Sequence, residues 1–592
     1  MKRLLTLALA LLMLFCLFAC GSDDTESTAS SNGDANGSSI ISTADVKYID
    51  DAGEAIYNIV RPDKPENNES VISGKVFKQF KDKLGVNVRN SPDSVDGTDQ
   101  YEVLIGETNR PESAAAMNYM YDQGKGRYDD FIICTIGKKI VINAHNEDAL
   151  TAACDYFINN YLVKDGVKGG INYLYAKPGD YKDITVNGVN IGRFSIVRPH
   201  YNLSYLAQVE MEKMQNSIYE KTGYMLEIKE DAYVTEGDYE IVVGNTNRKG
   251  VEKIEGYDNY NITVSGKKIY LNGGNTYSTA ISVTMFEKLL ADGTVVDADS
   301  VKNGSYQTAY AENCDSTTVY KPVWIDDFDG DSVDTTKWDI IDEEYSKKGT
   351  DKLSGQNGKR AWRKPENSVV KDGCFYAMFT QDEGNYYGGT IRTTTTMIYQ
   401  YGYLEMSCVN PKGSGFWSTL WMSSANVKEN TFDCGYSMEV DIAESFGNAA
   451  VTDANAHVWP RGIGKAEGFE HRSFDHIRAN ESKYNVQKTD GKLLSEDFHT
   501  FGFLWTPDYI GFTADGKIYC DLDINEAGFE DYKAAYTTGL VNLRLAGSPG
   551  FCNCPLPQTA TEEEWANTAR YIVDYVHLYQ IDDGNCVIKK PM

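Results

Sequence analysis

The sequence predicts two tandem α/β domains followed by a large antiparallel β-sandwich. Three observations carry that expectation. An ordered internal repeat fills the first half of the chain, strands alternate with helices inside each copy, and the texture changes after about Tyr320 to short, aromatic-rich β-runs. Alternation of strand and helix makes layered α/β folds, whereas many short strands with frequent turns make sandwiches.

The repeat aligns 57-YNIVRP-62, 101-YEVLIGETNR-110 and 137-GKKIVIN-143 with 194-FSIVRP-199, 239-YEIVVGNTNR-248 and 266-GKKIYLN-272. Three matches in the same order define a duplicated unit of about 130 residues, an ordinary domain size. The copies are expected over 46–182 and 183–312, each read as strand, helix, strand, hairpin, helix. The first helix of copy one spans 70–85, with Val71, Val76, Phe77 and Phe80 as its apolar stripe, and its counterpart spans 206–223. Both end in glycine, a helix stop. The closing helices are expected over 147–162 and 277–290. Arg110 and Arg248 end the TNR motifs and either contact an anion or pair with local acids. Cys134 and Cys154 of copy one are replaced together by Thr263 and Val283 in copy two. That joint loss reads as two side chains facing one another, as a bridge or as two buried thiols.

Ahead of the repeats, Lys2 and Arg3 precede the apolar run 4-LLTLALALLMLFCLFA-19. The run is short for a membrane span and has the charged start of an export signal. Its ending, LFAC followed by Gly21, resembles the lipobox of bacterial lipoproteins, which implies a signal peptide over 1–20 and lipidation of Cys20. An ordinary signal peptide is the alternative. Residues 21–45 are small, polar and acidic, a flexible tether. The expected location is extracytoplasmic, lipid-anchored at the bacterial cell surface. A net charge of −29 argues against a nucleic-acid partner. Ten cysteines remain after Cys16 and Cys20, without zinc-ligand spacing.

The repeats, through their I-G-x-T-N-R and V-G-x-T-N-R strand ends and G-K-K-I hairpins, resemble the small α/β accessory domain of hexosaminidases and glucuronidases. That domain carries no known catalytic set, so the copies are expected to serve as spacer or docking modules.

The third domain is expected over 320–583. In it, 437-SMEVDIAESFG-447 places Glu439, Asp441 and Glu444 in one strand-like run. Alternation puts Glu439 and Asp441 on one face and Met438, Val440 and Ile442 on the other. Strict alternation would then drive Glu444 into the apolar layer, where an unpaired carboxylate costs several kcal/mol. One extra residue, a β-bulge between Asp441 and Glu444, returns Glu444 to the acidic face. Three acids on one face suit glycoside hydrolysis, which needs a carboxylate nucleophile and a carboxylic acid held protonated by its neighbours. An acidic solvated strand is the plain alternative, but Trp417, Trp421, Phe446 and Trp459 lie close in sequence.

Glu439-x-Asp441-x-x-Glu444 resembles the bulged signature of glycoside hydrolase family 16, the laminarinase-like enzymes. Further segments match in order: 324-WIDDFDGDSVDTTKW-338, 365-PENSVVKDG-373, 401-YGYLEMSCVNPKGSGFWSTLWM-422, 498-FHTFGFLWTPDYIGFTADGK-517 and 571-YIVDYVHLYQ-580. The resemblance implies a concanavalin A-like β-jelly roll. It assigns Glu439 as nucleophile, Glu444 as acid/base and Asp441 as the assisting carboxylate. Trp417 and Trp421 would stack on sugar rings. His457 would be a cleft histidine, with a hydrogen-bonded core residue as the alternative, and Arg392 would border the cleft.

Where many laminarinases follow the last acid with a Trp pair, this chain has Ser445-Phe446, and Phe446 is the expected stacking residue there. The basic segment 342–364 is either a cleft-edge loop bringing Arg360, Arg363 or Lys364 to an acidic sugar or a solvated insertion. The family also implies a structural calcium held by Asp327, the Gly373 backbone and Asp574, and no cofactor for catalysis. The expected activity is retaining endo-hydrolysis of β-1,3- or mixed β-1,3/1,4-glucan. The alternatives are a β-galactanase on agar- or carrageenan-like polymers, a transglycosylase, or a surface carbohydrate-binding protein.

Overall fold

The computed structural model describes residues 40–97, 99–292, 295–298, 302–344, 361–428, 430, 432–474, 481–486, 492–550, 557 and 559–591. Cys20, Arg360, Cys552 and Cys554 lie outside the described residues. Among the described residues, no helix is long and apolar enough to cross a membrane.

The first half contains two six-stranded sheets with the same strand order. In chain spans they run Asn90–Pro92, Asn58–Arg61, Glu102–Ile105, Lys139–Ala144, Phe131–Ile136, Asn172–Tyr175, and Ile228–Glu230, Ser195–Arg198, Glu240–Val243, Lys268–Gly273, Asn259–Ser265, Lys302–Ser305. Four strands of each are parallel and the hairpin closes the sheet antiparallel.

Helix Glu69–Gln79, extended by a wider turn to Leu84, buries Ile72, Val76, Phe80 and Leu84. That stripe corrects the expected one. A spacing of four places these residues on the sheet and leaves Val71 and Phe77 65% and 41% exposed. Gly85 and Gly223 end their helices at φ 77° and 75°, a conformation that favours glycine.

The TNR motifs turn inward. Arg110 Nε donates to Glu102 Oε2 at 3.0 Å and Lys139 Nζ donates to the same oxygen at 2.7 Å. In copy two, Arg248 Nε bonds Glu240 at 3.1 Å and Lys268 Nζ bonds it at 2.9 Å. Each arginine is a clamp for a buried acid rather than an anion contact, since removing one partner would strand a charge without water.

Copy one inserts helix Pro111–Asp122, with Pro111 at its first turn. Copy two has no helix there, and Gly250 and Gly256 at φ 90° and 89° break the segment. Cys134 packs beneath this inserted helix with Leu104 and Met117, while Cys154 packs on the opposite face of the sheet with Phe80 and Phe157. Both thiols are free and buried. They do not face one another, so the sheet itself separates them.

The C-terminal part is the antiparallel sandwich the sequence predicts. An outer sheet of eight strands runs Ser368–Lys371, Cys374–Met378, Arg570–Gln580, Gly402–Val409, His499–Trp505, Tyr509–Ala514, Lys517–Asp523 along its main path. A ten-stranded sheet centres on Val541–Pro549, Phe416–Ser424, Tyr436–Ser445 and Val451–Pro460. Leu404 and Met406 from the first meet Leu420, Met422, Val440, Ile442, Leu543 and Leu545 from the second in one core. Fully burying each such side chain contributes about 1.5–3 kcal/mol.

The other side of the outer sheet is also covered. Alternation aims Tyr403, Glu405 and Ser407 away from the core, yet all three are buried because copy two seats on them. Glu405 Oε2 accepts from Ser204 Oγ at 2.8 Å and Tyr403 OH at 2.7 Å, and Oε1 accepts from Tyr575 OH at 2.8 Å. Tyr277 stacks on Tyr579 with centroids 5.4 Å apart. The Asp515-Gly516 hairpin turn, with φ of 48° and 86°, forms a second seat. There Asp515 Oδ1 accepts from Asn202 N at 2.9 Å, and Arg198 Nη2 donates to the Asp515 carbonyl at 3.0 Å. Burial alone would raise the Asp515 pKa, but bonds from His499, Asn202 and Tyr484 outweigh it and hold the carboxylate low.

Candidate active site

The acid strand Tyr436–Ser445 lies in the middle of the ten-stranded sheet. Its ladder slips at one place: Trp421 pairs with Asp441 and Leu420 with Ala443, and on the other side Asp441 pairs with Asn455 and Glu444 with Asp453. The slip is the expected bulge. Ile442 and Ala443 both go into the core, and Glu439, Asp441 and Glu444 all line a groove of about 840 Å³.

Each carboxylate has its own donor. Trp417 Nε1 donates to Glu444 Oε1 at 2.8 Å, the His457 Nε2 atom lies 3.0 Å from Asp441 Oδ2, and the Trp459 indole bonds Glu439. These bonds fix orientation without neutralising the group. Burial and then the adjacent Asp441 push Glu439 up to about 7, with His457, Arg544 and Trp459 opposing. The same two causes push Glu444 well above the ordinary carboxylate range, and Asp453 and Glu439 add to it against the Trp417 bond. Glu444 is therefore the acid that keeps its proton, and Glu439 the one that ionises first.

The groove collects Trp417, Trp421, His457, Phe446 and Arg392, all named from sequence. Trp417 lies parallel to Phe446 at 7° with centroids 6.4 Å apart, and Phe446 is 37% exposed. Phe446 thus offers an apolar surface where other enzymes have a Trp pair. Trp421 differs from its expected role on one face, where the Arg544 guanidinium lies 4.2 Å from its ring centroid. His457 combines both readings offered for it, lining the groove while bonding Asp441.

Sequence reasoning gave no role to Arg544 or His471 and named Trp459 only as a neighbour. Arg544 sits in 541-VNLRLAGSP-549, where Leu543 and Leu545 point to the core and Arg544 to the groove. That alternation was the available signal. Arg363 also reaches the groove and pairs with Glu343 at 2.7 Å, whereas Lys364 pairs with Asp342 at 2.9 Å. Burial, then Arg392 and Arg363, lower the Arg544 pKa to about 10, against the pull of Glu439.

The residues implied for calcium lie on the outer sheet. Asp574 is pushed up to about 6 by burial and by Asp327, with His577 opposing. Asp327 Oδ1 lies 2.7 Å from His577 Nε2 and accepts from Tyr257 of copy two. Gly373 turns the hairpin between Ser368–Lys371 and Cys374–Met378 at φ 71°. Carboxylates are the kind of oxygen ligand a hard cation takes, and Asp327 contributes to raising Asp574.

A family model described as beta-porphyranase A-D, GH16 domain, matches residues 321–581. The xylanase/beta-glucanase of Ruminococcus flavefaciens is 30% identical over 172 residues, 27% of this chain and 18% of that protein. Beta-porphyranase D of Zobellia galactanivorans is 29% identical over 202 residues, 32% of this chain and 44% of that protein. The chain thus spans less than half the length of either relative. Among solved structures, the catalytic domain of an endo-1,3-beta-glucanase (laminarinase) from Thermotoga petrophila RKU-1 aligns with TM-score 0.35 and 23% identity, over 44% of this chain and 98% of that one. Residues 321–581 thus match the glycoside hydrolase family 16 domain model, and the acid strand within them carries a β-bulge between Asp441 and Glu444.

Proposed function

We propose that this protein is a retaining endo-glycosidase acting on β-1,3- or mixed β-1,3/1,4-glucan. The observation that carries the reading is the bulge, which brings three carboxylates to one groove. Glu439 attacks the anomeric carbon while Glu444 gives its proton to the leaving oxygen, and a glycosyl-enzyme ester forms. Glu444, now ionised, takes a proton from water as that water displaces Glu439. Asp441 lies between them in the strand and lines the same groove. The similarity to glucanases agrees with the substrate class.

One observation favours a second reading, an anionic galactan of the agar or carrageenan type. Arg363, Arg392 and Arg544 converge on one flank of the groove, and the matching family model is named for porphyranases. Digesting laminarin, lichenan, agarose and carrageenan side by side separates the two. Release of reducing ends from the first pair supports the glucanase reading, and cleavage confined to the second pair replaces it. Proton NMR of the first product should show the β-anomer, whereas the α-anomer would overturn the retaining mechanism.

The resemblance also implies a calcium ion held by Asp327, Asp574 and the Gly373 carbonyl. Chelation with EDTA should lower Tm, and added calcium at 100 times its Kd should restore about 2.7 kcal/mol. An unchanged melting curve removes the ion from the account.

A further inference from the structure

We propose that His471 is a positioning residue for the reaction, acting through His457 on Asp441; the proposal rests on the glycosidase reading of the groove. His471 comes from outside the acid strand and outside its ladder neighbour. It precedes the short strand Arg472–Ser473, which pairs with Val451–Pro460 so that Ser473 faces His457. His457 in turn faces Glu439 across the ladder. The chain thereby brings an imidazole from a third strand up to the back of the histidine that holds Asp441.

With Asp441 ionised and His457 neutral, the contacts define the direction of the bonds. Asp441 Oδ2 lies 3.0 Å from His457 Nε2, and a carboxylate can only accept, so Nε2 of His457 carries the hydrogen. In neutral His457 the other nitrogen, Nδ1, is then a lone pair. It lies 2.9 Å from Nε2 of His471, which must donate. The relay runs His471 Nε2–H to His457 Nδ1, then His457 Nε2–H to Asp441. Without His471, the competing tautomer with hydrogen on Nδ1 becomes available to His457, and that form turns a lone pair toward the carboxylate.

Trp459 holds the relay flat. Its indole stacks on His471 with centroids 3.7 Å apart and 14° between planes, and lies 5.7 Å from His457 at 24°. The same indole bonds Glu439. One exposed tryptophan therefore ties the nucleophile to the outer imidazole that orients Asp441. Asp441 matters because it raises both glutamates, so its placement bears on which of them carries the proton.

Two variants and a reference test the relay. His471→Phe keeps a flat ring against Trp459 and removes the donor. His471→Gln keeps an N–H donor in a position comparable to Nε2. With Tm confirming that both fold, H471F is expected to lose about 10- to 100-fold in kcat at nearly constant KM. H471Q is expected to recover to within about threefold of the unaltered enzyme. Equal activity of H471F and the unaltered protein overturns the proposal. Equal loss in both variants also overturns it, because packing rather than donation would then be the cause. If H471F fails to fold, H471Q against His471→Met decides by the same comparison. Glu439→Gln is the reference: an inactive E439Q beside a fully active H471F defeats the relay alone, whereas an active E439Q defeats the glycosidase reading beneath it.

Discussion

Glu439→Gln should slow turnover by at least about 10⁴-fold while leaving the fold and substrate binding intact, the scale on which losing a covalent nucleophile acts. The amide has the shape of the carboxylate and can still meet Trp459, but it cannot attack the anomeric carbon. Steady-state release of reducing ends, together with binding of the polymer to the variant, checks both halves of the expectation. Full activity in E439Q would remove the enzyme assignment. The unaltered enzyme should show a matching pH profile. Its active form needs Glu439 ionised and Glu444 protonated. Activity in kcat/KM should therefore rise as pH passes about 7, where Glu439 loses its proton. It should fall again at higher pH as Glu444 loses its own, since its burial and acidic neighbours place that loss well above the ordinary range. The two limbs belong to the interacting pair rather than to either residue alone. A profile that falls from pH 5 to pH 8 would reverse the roles of the two glutamates.

The second large effect is on stability. Glu405→Leu removes the acceptor for Ser204, Tyr403 and Tyr575 inside the seat between copy two and the outer sheet. Tyr403 retains Thr513 at 3.0 Å, but the other hydroxyls are stranded. Buried donors left without acceptors put the loss at about 3–5 kcal/mol. Glu405→Gln, which keeps an oxygen acceptor, should lose less. Calorimetry of the full chain measures both. At 25 °C the kcat of folded E405L should be unchanged, because Glu405 is on the sheet opposite the groove. A Tm equal to that of the unaltered chain would mean that the seat contributes nothing.

The C-terminal fold and its acid triad were legible because both rest on local rules. Alternation marks which side chains share a face, and the three-residue gap before Glu444 has a single cheap solution, the bulge. The apolar stripe of the first helix was misplaced because Val71 and Phe77 are as apolar as Ile72 and Phe80, and only packing against the sheet chooses between them. The Cys134–Cys154 pairing failed likewise: absence from the second copy says nothing about which face of a sheet each residue occupies. Arg544 was hidden because it reaches the groove from a strand distant in sequence, and His471 because it contacts the site through His457. Nothing local in the sequence around Tyr403, Glu405 and Ser407 says that another domain covers them.

That covered edge has an evolutionary consequence. Outward positions 403, 405, 407, 575 and 579 are occupied by polar or aromatic side chains that the second repeat covers, with Ser204 on Glu405, Asn202 on Ser407 and Tyr277 on Tyr579. Recombination that moved the sandwich alone into another gene would carry a desolvated carboxylate and a Tyr-rich surface into water without their partners. The second repeat and the sandwich are thus expected to be inherited together. Family 16 domains that travel alone should show a different, solvent-adapted set at the equivalents of Tyr403, Glu405 and Tyr579.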